Sequence, residues 1–202
     1  MWMCTNCRHL EVTEEKPEKC AICGAGADKI VEYEAPKVKG SNTLKHLKEG
    51  FAAESKAQAR DLAFAIRAEQ DGYPQLAGLF RAVAESEAVH AFHHLRFLGA
   101  VADTQENLKA AFESENFARD AYLDFIKDAN EEGNAAVATI FSYHRDVERE
   151  HSKLYEKALD RILDPERVEY YVCQVCGYVS IGSAPDNCPI CNAPKDMFRK
   201  VD

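Results

Sequence analysis

From Leu44 onward the apolar positions of the chain recur at intervals of three, four and seven, the mark of one buried helical stripe. Leu44, Leu47, Phe51, Glu54, Asp61 and Ala65 share the first stripe, which runs to about Gln70. Pro36, Gly40, Ser41 and Asn42 read as a linker and helix start, with Asn42 or Thr43 as the N-cap. Asp71-Gly72-Tyr73-Pro74 breaks the stripe, and a second helix from about Pro74 to Leu98 carries Leu79, Val83, Glu87, His90 and His94. A third, about 104 to 130, carries Leu108, Phe112, Glu115 and Tyr122. A fourth, about 134 to 163, carries Ile140, His144, Glu148, His151 and Tyr155 and stops before Pro165.

The two helix pairs are copies of one another at an offset of 61 residues: Leu47, Phe51, Glu54, Phe64, Gly72, Ala77, Phe80, Glu87 and His90 recur as Leu108, Phe112, Glu115, Phe125, Gly133, Ala138, Phe141, Glu148 and His151. Glu54 and Glu115 each precede a Glu-x-x-His by 33 residues. A helical hairpin travels four to five turns out and back over about 30 residues, so each second helix returns its Glu and His beside the first Glu. Buried carboxylates without compensation are costly. Two hairpins packed face to face present six inward ligands, Glu54, Glu87, His90, Glu115, Glu148 and His151, and two divalent cations supply the compensation. Mixed carboxylate and imidazole ligation suits iron or manganese.

Composition divides the 202 residues further. All eight cysteines lie outside the helical middle, as Cys4, Cys7, Cys20 and Cys23 before it and Cys173, Cys176, Cys188 and Cys191 after it. Each set is two Cys-x-x-Cys pairs, the spacing of one tetrahedral metal site, which is preferred here over four disulfides. Neither terminal segment buries a core of its own, so metal binding supplies folding free energy. The expected organisation is three domains: a metal ribbon over 1–36, a helical bundle over 37–165 and a second ribbon over 166–202. The net charge of -9 argues against a nucleic-acid partner. No signal-like or membrane-spanning run opens the chain, and a reducing cytoplasm suits the free thiols.

The segments FAAESKAQAR (51–60), ESEAVHA (85–91), NLKAAFESEN (107–116) and VEREHSKLY (147–155), together with YVCQVCGYV and CPICNAPKDMF in the tail, resemble rubrerythrin over essentially the whole chain. The resemblance implies a mainly α protein, a ferritin-like antiparallel four-helix bundle flanked by rubredoxin-like Cys4 ribbons. It implies two irons in the bundle, with manganese or zinc as possible occupants of a given preparation. The tail is similar to rubredoxin and implies iron there. The N-terminal ribbon has Arg8-His9 where the tail has Gly177-Tyr178 and no proline beside Cys20, which leaves iron or zinc open. By resemblance the protein reduces hydrogen peroxide to water, with electrons passed through the rubredoxin-type centre from a reductase or rubredoxin and ultimately from a reduced pyridine nucleotide. A homodimer, head-to-tail or domain-swapped, is implied, with no membrane partner.

Three positions depart from that pattern. The family's extra carboxylate, one turn after Glu115, is Ala118 here, so the ligand set equals that of ferritin-type ferroxidases and makes an oxygen-using ferroxidase the competing reading. Iron storage and a zinc-ribbon interaction module stand behind it. Asp61 occupies a position where the family tends to have tyrosine, and its repeat mate is Tyr122; it is an added inward carboxylate, a hydrogen-bond acceptor for a ligand histidine, or a solvated residue. His144, whose mate is Val83, is a proton donor, a further ligand or a core histidine. Tyr122 is a site residue of second rank that could hydrogen-bond a metal-bound group, while His93 and His94 read as packing or surface residues.

Overall fold

The computed structural model describes residues 1–34, 41–162 and 167–201. The expected linker residues Pro36 and Gly40, the helix-ending Pro165 and the domain boundaries set beside them lie outside the described residues. The chain forms two compact units, Met1–Ala102 and Asp103–Asp202, each combining one ribbon with one helical hairpin.

In the first unit, strand β1 (Trp2–Cys4) sits between β2 (Leu10–Glu11) and β3 (Ile30–Glu32) in an antiparallel sheet, with Met3 opposite Leu10 and Val31. Helices α1 (Asn42–Gln70) and α2 (Pro74–Phe97) follow. In the second unit α3 (Thr104–Glu131) and α4 (Ala135–Asp160) come first. Then β4 (Tyr170–Cys173) lies between β5 (Val179–Ile181) and β6 (Phe198–Val201), with Val172 opposite Val179 and Arg199. Short connections make both helix pairs antiparallel hairpins.

The boundaries show local chemistry at work. The N-cap of α1 is Ser41, one residue ahead of the expected Asn42 or Thr43, both of which are already helical. Asp103 caps α3 by accepting the Glu106 N–H at 2.9 Å. Helix α4 ends at Asp160, short of the expected 163. Gly72 and Gly133 each hold a positive φ just past the first helix of a hairpin. The following N–H groups, of Tyr73 and Asn134, reach back to the carbonyls of Ala68 and Ala129 at 2.8 Å. Glycine is favoured at this left-handed helix-closing position, which is why it recurs in both copies of the repeat.

The hairpin seams are built from small residues. Ala65, Ala68, Ala77, Ala84, Ala88 and Ala91 are buried in the first unit, and Ala129, Ala138 and Ser152 in the second, where Val147 is buried against the ribbon instead. Such side chains let helix axes approach closely, and Gly50 extends the logic: a Cβ there would come within 2.7 Å of the His94 ring, which fills that space. His94 is therefore a packing residue. The larger apolar side chains Leu62, Phe64, Ile66 and Leu79 of the first hairpin, and Phe117, Leu123, Phe125 and Ile140 of the second, are exposed. Among the described residues no helix is long and apolar enough to cross a membrane.

Ala77 is completely buried against Ala65, Ala68 and Phe80. Ala77→Leu should therefore overpack the seam and cost about 1–3 kcal/mol. Ala→Leu at exposed Ala52 should stay within about 0.5 kcal/mol. Denaturant unfolding of the two variants reads the difference.

Candidate metal centres

Each hairpin assembles three of the six predicted bundle ligands by itself. One ligand atom from each of Glu54, Glu87 and His90 lies within 4.8 Å of the others, and the same holds for Glu115, Glu148 and His151. In both cases the Glu-x-x-His places its pair on one face, three residues apart. His90 Nδ1 stands 2.9 Å from Glu87 Oε2, and His151 Nδ1 stands 3.1 Å from Glu148 Oε2 and 3.7 Å from Glu115 Oε2.

In the second set two carboxylates meet beside an imidazole. Burial raises the Glu115 carboxyl to about 7, and its hydrogen bond to Glu148 and that residue's charge push the same way. A divalent ion removes both penalties, so the donor set fits iron or another hard-to-borderline metal. The geometry of His151 fits too. Its Nδ1 faces the carboxylates while Nε2 lies 3.4 Å from the Gly177 carbonyl oxygen, so one nitrogen is left for a metal as the other donates its proton to the backbone.

The cysteines form two quartets, Cys4, Cys7, Cys20 and Cys23, and Cys173, Cys176, Cys188 and Cys191. Sulfur separations are 3.7 Å for Cys4–Cys23, 3.6 Å for Cys7–Cys20, 3.7 Å for Cys173–Cys191 and 3.6 Å for Cys176–Cys188. These are far longer than a disulfide and match the edges of a tetrahedron with metal–sulfur bonds of about 2.3 Å. All eight are free thiols. Within the N-terminal quartet the thiols oppose one another: Cys23 is drawn down to about 6, first by the Asn6 side chain, while Cys7 is pushed up to about 12, so a bound cation is needed to hold both as thiolates. Thiolate character at neutral pH is what metal ligation requires.

The two ribbons share the hydrogen bonds of their turns. Arg8 N–H and Gly177 N–H bond to the Cys4 and Cys173 carbonyls at 2.8 and 2.9 Å, and Gly24 and Asn192 bond to Cys20 and Cys188 at 2.9 Å each. Arg8, at φ 64°, thus holds the left-handed conformation that Gly177 holds at φ 86°.

The remaining expected site residues fall as follows. Tyr122 belongs to an aromatic cluster with Phe125, Phe141 and His144, the His144 ring lying 5.5 Å away between centroids. Burial, then the charge of Glu148, raises the Tyr122 phenol. Asp61 is buried, not solvated, and accepts from Arg60 Nε at 3.1 Å; it is not among the clustered ligands. Tyr155, which the sequence set on the ligand stripe without a role, lies one turn beyond His151 and lines a cavity of about 440 Å³ with Glu115 and His151. Burial, then Glu115 and Glu148, raises its phenol. Sequence reasoning missed Val147, buried among Cys173, Cys176, Cys188 and Ala193. The one available signal was an apolar residue beside Glu148 and one turn before His151.

Comparison with known proteins follows the same division. The model of the rubredoxin-like domain of rubrerythrin matches residues 2–30 and again 171–199, and the rubrerythrin model matches 45–106 and 106–181, once for each hairpin of the repeat. The chain is 38% identical to a rubrerythrin of Porphyromonas gingivalis over 184 residues, covering 81% of this chain and 92% of that one. It is 32% identical to the nigerythrin of Nitratidesulfovibrio vulgaris over 172 residues, covering 78% and 85%. A solved structure of mixed-valence nigerythrin is 28% identical, covers 95% of this chain and all of that one, and has a TM-score of 0.49. Matched in both its ribbons and both its hairpins, the chain belongs to the rubrerythrin family of ferritin-like di-iron proteins.

Proposed function

We propose that this protein reduces hydrogen peroxide to water at a two-iron centre held by Glu54, Glu87, His90, Glu115, Glu148 and His151, with electrons delivered through the C-terminal ribbon. The observation that carries the reading is the seating of that ribbon on α4. Val147 packs among three of its cysteines, and His151, four residues on, meets the Gly177 carbonyl next to Cys176. One helical turn thus links a thiolate site to a carboxylate–imidazole site.

Each hairpin offers half of a balanced ligand set: Glu54, Glu87 and His90 from one, Glu115, Glu148 and His151 from the other. Two ferrous ions held there would supply the two electrons that break the peroxide O–O bond, two protons completing two waters. The chain's own groups do the rest. The carboxylates hold the cations, the Gly177 carbonyl fixes the His151 ring, and the raised phenols of Tyr122 and Tyr155 stay protonated and able to donate a hydrogen bond to an anionic oxygen. The exposed apolar side chains of the hairpins are in keeping with a homodimer, head-to-tail or domain-swapped. The three-part division at residues 36 and 165, a cytoplasmic location consistent with eight free thiols, and a pyridine-nucleotide-linked reductase or rubredoxin as donor complete the reading.

Ala118 favours one competitor, a ferroxidase that uses oxygen, because it leaves six ligands where a seventh carboxylate is the rubrerythrin habit. Stopped-flow reoxidation of the reduced protein separates the two. Peroxide should react at least about tenfold faster than oxygen, and the reverse order would make the protein a ferroxidase.

Replacing a ligand and replacing the ribbon's seat should give different lesions. Glu148→Ala should lower both iron content and peroxide turnover, the latter by more than about 100-fold. Val147→Asp places a carboxylate in an apolar seat and should slow steady-state turnover about tenfold or more while single-turnover oxidation of the prereduced protein is retained. Metal analysis and rapid mixing read both.

A further inference from the structure

The two ribbons differ in which parts they show to solvent. In the C-terminal ribbon Cys176 is buried and Cys191 half-buried, and Ile190 packs into the cluster around Val147. At the equivalent places of the N-terminal ribbon, Cys7 and Cys23 are exposed, and Ile22 is 70% exposed. The first ribbon therefore leaves uncovered the thiolate edge that the second buries against its own helix.

That edge borders a cleft of about 390 Å³ between the ribbon and the last turns of α2, lined by Cys7, Arg8, His9, Ile22, His93, Arg96 and Phe97. Tyr33 ties the ribbon to this end of α2, its ring edge-on to Phe97 at 5.3 Å and its hydroxyl donating to the Phe97 carbonyl at 3.3 Å. The lining holds two guanidinium groups and two imidazoles and no carboxylate. His93 reports the same field: burial lowers its pKa, and Arg96, His90, His9 and His94 all lower it further. This positive site stands on a chain with 34 acidic and 25 basic residues. Arg8 is held there in a left-handed conformation that glycine adopts with less strain, as Gly177 does in the other ribbon. An exposed apolar tip, exposed thiolates and a cationic rim form a surface for a partner of opposite charge.

We propose that the N-terminal ribbon is the docking face for a small acidic one-electron carrier protein, whose surface carboxylates enter the cleft between Arg8, His9, His93 and Arg96 while its redox centre comes up to Cys7 and Cys23. The proposal rests on the redox reading given above and names the partner class and its place of contact. Iron held by Cys4, Cys7, Cys20 and Cys23 would take up the one electron that the reduced carrier gives up in becoming its oxidised form. No bond is made or broken and no proton moves. The C-terminal ribbon, with Cys176 buried, serves the internal transfer.

The test uses the full-length protein with iron in both ribbons and a reduced acidic rubredoxin as the carrier. In stopped flow the second-order rate of ribbon reduction should fall about tenfold or more between 20 and 300 mM salt. The Arg8→Glu/Arg96→Glu double variant should lower the low-salt rate by about tenfold or more and remove most of the salt dependence. Arg8→Gly, which relieves the backbone, should raise the thermal midpoint and still slow the reaction, so that slow transfer is not mistaken for misfolding. Carrier NMR shifts on titration with zinc-loaded protein give a readout free of turnover: they should appear with wild type, vanish with the double variant and persist in 5 mM inorganic phosphate. A salt-independent rate, unchanged rates in the variants, loss of the shifts in phosphate as for a small-anion site, or an N-terminal ribbon that accepts only zinc would each overturn the proposal. Peroxide turnover driven by dithionite reports separately on the proposed activity; its absence, with carrier docking intact, would remove the peroxidase and leave the docking face.

Discussion

The structure depends on how acidic side chains tolerate one another inside a helical hairpin. Glu115 and Glu148 are close enough to share a hydrogen bond, and burial with that contact lifts Glu115 to about 7. Two unit charges about 4 Å apart repel by about 4 kcal/mol at an effective dielectric of 20. A cation turns the same arrangement from a destabilising one into a binding site. The free energy that the hairpins lack in their alanine-rich seams is available from metal ligation and from covering the apolar faces. Folding and cofactor retention are therefore coupled in this chain rather than separate requirements.

The ribbons repeat this coupling with sulfur. Each turns two Cys-x-x-Cys knuckles toward one point with the same backbone hydrogen bonds, yet they are used differently. One buries its second cysteine against α4 beside a histidine ligand; the other exposes its counterpart next to paired arginines. Duplicated metal folds thus acquire direction from the surfaces around them. On the proposed reading, metal in the buried knuckle would exchange electrons with metal held by the ligands of its own hairpin, and the exposed, cationic knuckle would meet a protein from outside.

Much of this was legible in the sequence because it rests on spacing. The 61-residue offset carried the ligand triplets, the helix-closing glycines and two of the seam alanines, Ala68 and Ala77, which recur as Ala129 and Ala138. The cysteine spacing gave both quartets. Asp61 was open between a solvated and an inward residue, and burial decided for the inward side, while its pairing with adjacent Arg60 follows no periodic rule. The N-cap shifted to Ser41 because several neighbouring residues could cap. Long-range contacts were not readable: the Gly177 carbonyl lies 26 residues from His151, and Val147 meets cysteines between Cys173 and Cys188, as far along the chain or farther. The placement of Arg96 beside Arg8 has the same cause, since nothing local relates the end of α2 to a loop 88 residues earlier.

The central claim is that the two ligand triplets act together on one pair of metal ions. Mössbauer spectroscopy of anaerobically purified, iron-57-enriched protein, with total iron measured on the same sample, tests it most directly. The account predicts, in the oxidised protein, an exchange-coupled diferric pair with oxygen and nitrogen ligation, two irons per chain, beside tetrahedral thiolate iron in the C-terminal ribbon. Isolated, uncoupled ferric ions in the helical region, or no iron there at all, would contradict it.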